Sequence, residues 1–193
     1  MSRRTPVTLL LAVALATAVG PGIRATTWIP ADLRALVSAA SAVAYGRVVA
    51  VDVQLAETSR AVERRVVVRV SDYYKGQLGG EVLLRVPGGT LGGYRTVVVG
   101  APEFREGEEV VLFLRGEPAE PASLVGLAQG VVRVRVDPQS GLRRVWPPAS
   151  AAMADTQGRV LRGQGPRRVM PLEAFAAEVR QIVERRERPG RLR

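Results

Sequence analysis

The sequence predicts a mainly β fold, a small antiparallel β-barrel or sandwich with a short helix at its start and an amphipathic helix at its end. Three observations carry that reading. The stretch Val86 to Leu114, VPGGTLGGYRTVVVGAPEFREGEEVVLFL, sets two glycine pairs, a Gly-Ala-Pro corner and a Glu-Gly-Glu turn between apolar runs of strand length. In Val62 to Tyr74, Val66, Val68 and Val70 alternate with Arg65, Arg69 and Ser71, the pattern of a strand with one buried and one wet face. Seven or eight such segments follow one another through connections too short for the helical crossovers of a parallel sheet.

The elements follow in order. Pro30 and Asp32 open a helix to Ala40, in which Leu33, Leu36, Val37 and Ala40 recur at helical spacing. Ala42 to Val53 is too rich in valine for another helix and is the first strand; Gly46 inside it marks a bulge or a close backbone approach. After Val62 to Tyr74, Lys75-Gly76 and Gly79-Gly80 turn the chain into Glu81 to Val86. Tyr94 to Val99 and Val110 to Leu114 are the next strands. Leu124 to Ala128 and Val131 to Val136 read as a hairpin about Gln129-Gly130, and Asp137 to Gly141 is a turn leading to Leu142 to Trp146. The pattern dissolves over 147–170 into a linker or surface segment. Pro171 then opens a helix to residue 187 with Leu172, Phe175, Val179, Ile182 and Val183 on one stripe, Glu173 in its first turn and Arg185-Arg186 near its end.

Residues 1–25 are expected to be a signal peptide. Arg3 and Arg4 precede an apolar run, Val7 to Val19, whose 13 residues fall short of the roughly 20 that span a bilayer. Cleavage is expected after Ala25, with Ala18 as the alternative, and both the general and the twin-arginine export routes stay open. The β-domain would occupy 26–146, and the mature protein would be periplasmic or extracellular with no membrane span.

The net charge of +10 is unevenly placed. Residues 26–157 carry 15 basic and 14 acidic side chains, whereas residues 158–193 carry 10 and 4. The excess is a C-terminal tail (Arg185, Arg186, Arg188, Arg191, Arg193), expected to meet an anionic surface and not nucleic acid. With no histidine and no cysteine, the chain builds no Ser-His-Asp or Cys-His nucleophile, no His/Cys metal site and no disulfide. Neither cofactor nor catalytic residue is expected.

The glycine-rich loop Gly88, Gly89, Thr90, Leu91, Gly92, Gly93 and Tyr94 lacks the Gly-Lys-Ser/Thr ending of a phosphate loop and runs from strand to strand, so turns are expected, with the loop as the first candidate binding surface. Glu103, Glu106, Glu108 and Glu109 cluster about Gly107; a solvated turn is favoured over a calcium site, because the spacing is not that of a calcium loop. Trp146, Tyr45, Tyr73 and Tyr74 are read as packing residues ahead of a carbohydrate- or base-stacking face.

Several blocks carry a resemblance: Ser41 to Val48, Tyr74-Lys75-Gly76, Pro87-Gly88-Gly89 through Gly100-Ala101-Pro102, then Phe104, Gly107-Glu108, Val110 to Leu114, and Gly126 to Gly130. Over residues 30–136 the chain resembles a group of exported bacterial β-proteins, and the order of its turns looks like the netrin-like domain of metalloproteinase inhibitors. That resemblance implies an OB-like barrel. It does not carry over the inhibitors' zinc-chelating N-terminal cysteine, which has no counterpart here. The expected role is non-enzymatic binding of a protein or envelope component. The alternatives are a protease-inhibitor-like module and a carboxylate- or metal-dependent hydrolase of envelope polymers.

Overall fold

The computed structural model describes residues 32–56, 61–146, 153–154, 160–161 and 169–187. The expected signal peptide, Pro30, Arg188, Arg191, Arg193 and most of the 147–168 segment lie outside them. Among the described residues no helix is long and apolar enough to cross a membrane.

Helix α1 (Leu33–Ala39) starts where the Asp32 carboxylate accepts a hydrogen bond from the Ala35 amide, 2.6 Å away. The first helical residue is therefore Leu33, with Asp32 as the cap. At the other end Lys75 Nζ donates to the Val37 carbonyl, at 2.7 Å, and to the Ala40 carbonyl, meeting the negative end of the helix with a cation.

The strands are β1 (Ala42–Leu55), β2 (Val62–Lys75), β3 (Glu81–Pro87), β4 (Gly89–Leu91), β5 (Tyr94–Thr96) and β6 (Glu109–Arg115). There follow β7 (Ser123–Leu124), β8 (Val131–Val136), β9 (Arg143–Trp146), β10 (Met153–Ala154), β11 (Val160–Leu161) and β12 (Met170–Pro171), and last helix α2 (Leu172–Glu187). The main sheet has eight strands in the order β12-β9-β8-β6-β1-β2-β3, with β7 also on β6, and every ladder is antiparallel. That hydrogen-bonded path is open and does not close into a barrel. Beyond it, Leu84 and Ala122 form one parallel bridge, in which Arg85 N donates to Ala122 O and Ala122 N to Leu83 O.

β6 explains how the molecule is layered. Its residues Val110 to Leu114 are all fully buried, and successive side chains serve different cores. Val110, Leu112 and Leu114 join Val48, Val66, Val68, Leu84, Val86 and Phe104 in one buried cluster inside the curl of the sheet. Val111 and Phe113 join Val43, Val132, Val145 and the apolar stripes of both helices. The stripe expected of α2 is observed: Leu172, Phe175, Val179 and Ile182 are buried and Val183 packs at the edge. Each such side chain contributes about 1.5–3 kcal/mol when fully buried.

Three sequence expectations need correction. Leu124 to Ala128 is not one arm of a hairpin with β8: the strand stops at Leu124, the backbone turns left-handed at Gly126 and Leu127, and a 3-10 turn (Leu127–Gly130) follows. β8 pairs with β6 and β9 instead. The strand expected over Tyr94 to Val99 ends at Thr96. Pro171 does not open the last helix but ends β12 opposite Arg144, at the sheet edge where a missing amide costs least.

Gly46 is both a bulge and a close approach. The β1–β2 register shifts between Tyr45 and Gly46, and a Cβ at Gly46 would lie 2.4 Å from the Arg69 carbonyl oxygen. Gly46→Ala is therefore expected to lower stability by about 1–3 kcal/mol in urea unfolding, as overpacking does. Gly80→Ala, where a Cβ meets nothing within 4 Å, is expected to stay within about 0.5 kcal/mol of the parent.

Candidate functional site

The glycine-rich loop folds as a second small sheet. β4 and β5 pair through Gly89 and Thr96, Thr90 and Arg95, and Leu91 and Tyr94, leaving Gly92-Gly93 as a two-residue turn. Gly92 has φ +55°, the left-handed value that such a tight hairpin demands. Gly88, Gly89, Thr90, Leu91, Gly92, Gly93 and Tyr94 thus lie together in one hairpin, and no helix follows to make it a phosphate cradle.

Three hydrogen bonds fix its base to β2. Gly88 N donates to Val62 O at 2.9 Å, Val62 N to Thr96 Oγ1 at 3.1 Å, and Arg64 Nε to Gly88 O at 3.1 Å. Its tip is free. Tyr94 is 72% exposed, and in the connection after β5 Val97 and Val99 are 71% and 90% exposed. That connection is tethered again where Ala128 N donates to Gly100 O. Sequence reasoning assigned Val97 and Val99 to a strand because the run Val97-Val98-Val99 is apolar. Nothing in their spacing announces that they face water.

The acidic cluster divides: Glu103 and Glu106 are exposed and Glu106-Gly107 is the expected solvated turn, whereas Glu108 and Glu109 are a second place where groups converge. Glu108 and Glu109 have side chains only 19% and 12% exposed, and as neighbours on an extended segment they leave it on opposite faces. Arg133 Nε meets Glu108 Oε1 at 2.5 Å, while its Nη2 donates to the Glu103 carbonyl. Glu109 receives Arg47 at 2.6 Å, Arg143 at 2.9 Å and the Tyr45 hydroxyl at 2.7 Å. The hydrogen bond from Arg143 holds the Glu109 carboxyl below the usual carboxylate range, and the Tyr45 bond adds to it against the opposing effect of burial. Burial first, then the hydrogen bond to Glu109 and that group's charge, pushes the Tyr45 hydroxyl up to about 12, so it stays protonated as a donor. Sequence inspection finds the carboxylates but not these partners, which stand 25 to 64 residues away in the chain.

Among the described residues no group of three or more acidic side chains is placed to hold a metal ion. The aromatic residues divide. Tyr73 O–H donates to Gly79 O and accepts from Leu78 N, and Tyr74 is buried beneath the Arg180 guanidinium, 5.1 Å from its ring centre. Trp146, three strands away from β1, stands at the surface with the Arg135 guanidinium 5.5 Å from its ring. The tail arginines are partly engaged: Arg185 and Arg186 lie in the last turn of α2, where Arg186 reaches the Ser38 carbonyl at 3.4 Å.

No known protein family matches this chain, and no curated protein does either. The likeness to the netrin-like domain therefore rests on the residues quoted above alone.

Because its folded pKa is depressed, Glu109 adds stability that is full above the unfolded carboxylate value of about 4.3 and is lost as pH falls through the lower folded value. Glu109→Gln is expected to cost about 1–3 kcal/mol at pH 7. Paired chemical unfolding of parent and variant should show that gap closing as the pH is lowered below 4.

Proposed function

We propose that this protein is an exported, non-enzymatic binding module whose working surface is the β4–β5 hairpin and the connection to Val99. The observation that supports it is the exposure of Tyr94, Val97 and Val99 on a segment pinned at both ends. Folding gains nothing from leaving such side chains in water. A partner that covers them recovers their burial, and the fixed base keeps the entropy of ordering them small. An aromatic residue at the tip flanked by aliphatic ones is the composition of an anchor for a protein surface.

The scaffold belongs to the same reading. β1 pairs with both β2 and β6, β7 pairs with β6, and the parallel bridge at Ala122 joins that segment to β3. Those contacts favour an OB-like barrel formed by the curled half of the sheet, in keeping with the resemblance to netrin-like domains. A hydrolase finds less support. Glu108 and Glu109 are saturated by arginine donors, and a carboxylate so held is a poor proton acceptor.

The test is a photo-reactive side chain introduced at position 99 of the full chain and exposed to the native envelope fraction, with the same group at Arg85 as the reference. A discrete protein adduct at position 99, absent at Arg85 and weakened about tenfold by Tyr94→Ser, is the expected result. Equal labelling at both positions, or turnover of an envelope polymer by the purified chain, overturns the reading.

A further inference from the structure

Two shallow pockets lie side by side at the β8–β9 end of the sheet, away from the hairpin. One, of about 310 Å³, is lined by Arg47, Glu108, Glu109 and Arg133. The other, of about 400 Å³, is lined by Asp137, Gln139, Arg144 and Trp146. Arg135 and Val136 line both, so the two adjoin along β8 as neighbouring parts of a surface groove. Each is of small-ligand size.

The register explains the grouping. Arg133 pairs with Trp146 and Arg135 with Arg144 across β8 and β9, which sets these four side chains on one face. Most of the cations have a local counter-charge. Arg133 has Glu108, Arg47 has Glu109, and Arg144 lies 2.9 Å from Asp137 Oδ2, although its buried Nε is off the line of a hydrogen bond. Arg135 is different: no carboxylate among the described residues pairs with it, and its guanidinium lies against the Trp146 ring. Trp146 is 42% exposed and Val136 55%.

We infer that this groove binds a weakly acidic polysaccharide, a chain of sugar rings bearing sparse carboxylates. The open part of the Trp146 ring offers a flat apolar surface for the C–H face of a sugar. Arg135, held by that ring with its donors uncommitted, is placed to take a carboxylate through a forked pair of hydrogen bonds. Glu108, Asp137 and Gln139 supply further acceptors for hydroxyl groups. Those same carboxylates disfavour a nucleic acid, whose regularly repeated phosphates would meet repulsion as often as attraction.

The groove is distinct from the protein-binding surface proposed above. Arg47 lies in the groove and Val53 beneath Gly89 of the hairpin, six residues apart on β1, or about 20 Å.

Titration of the full chain with largely methyl-esterified polygalacturonate, whose free carboxylates are sparse, tests the inference, in a Trp28→Phe background so that Trp146 alone reports. Saturable quenching is expected, weaker with neutral galactan and with oligo(dT). Arg135→Gln, read by quenching, should weaken binding about tenfold without lowering the melting temperature, and Trp146→Ala, read by calorimetry on the folded chain, should weaken it as much. Val97→Ser/Val99→Ser should bind the esterified polymer as the parent does, which separates this site from the hairpin. Absence of saturable binding, undiminished binding in both groove variants, or tighter binding of oligo(dT) than of the esterified polymer overturns it.

Discussion

The backbone of β1 passes so close to the Arg69 carbonyl at Gly46 that no side chain fits between them, and the course of the whole sheet follows from that approach. On one side β1 pairs with β2 from Val43 to Leu55, with register shifts on both sides of Gly46; on the other it pairs with β6 only from Ala42 to Arg47. A strand that keeps two partners while its register slips has to twist and bend. The bend turns β2 and β3 toward the segment after β6, where Ala122 bridges Leu84, and leaves β8 and β9 to extend the sheet the other way. The bulge at Gly46, with the register shifts on either side of it, stands where the sheet parts into a curled half and an open half.

That division requires two cores from one set of strands. β6 carries both, since its alternate residues Leu112 and Phe113 are each fully buried in a different cluster. With no cysteine in the chain, no covalent link ties the halves together, and packing has to do so. The charged groups at the start of β6 extend the joint to the surface. Glu109 gathers Arg47 and Tyr45 of β1 with Arg143 of β9, while Glu108 on the opposite face holds Arg133 of β8. Adjacent carboxylates would repel if both faced the same solvent. Pointing apart, each with its own arginine, they fasten four strands at one level.

How far the sequence was legible depended on whether the deciding interaction was local. The alternation of Val66 and Val68 with Arg65 and Arg69, the Asp137 turn and the stripe of α2 are patterns in neighbouring residues, and all appear in the fold. Gly46 was readable because only a glycine has a reason to interrupt a valine-rich strand. By contrast β12 is two residues that become a strand only because Val145 lies beside Met170. β4 contains Gly89, Thr90 and Leu91, which carry no alternation to read. The 124–128 error has a similar origin, since an apolar run reads as strand until a left-handed backbone at Leu127 stops it. For the candidate sites, the hairpin was visible through its glycines, but the exposure of Val97 and Val99 was not. The groove was invisible, because Arg133, Arg135, Arg144 and Trp146 share a face only through the pairing of β8 with β9.

The two proposed surfaces would ask for different partners, for physical reasons. At the hairpin, the exposed groups are apolar side chains with no charge to steer an approach, so affinity there depends on shape and on dry contact. In the groove nearly every charge already has a counter-charge, so the field it projects is weak and recognition falls to the few groups left uncommitted. Arg135 is such a group, and it is kept so by β8: its cross-strand neighbour is another arginine, Arg144, and not an acid. Like charges placed opposite each other cost stability. The stacking of Arg135 on Trp146 offsets part of that cost while leaving the guanidinium edge open to solvent. A cation without a counter-charge beside an exposed ring is the pairing that the proposed ligand, with its carboxylate and its apolar sugar face, would use.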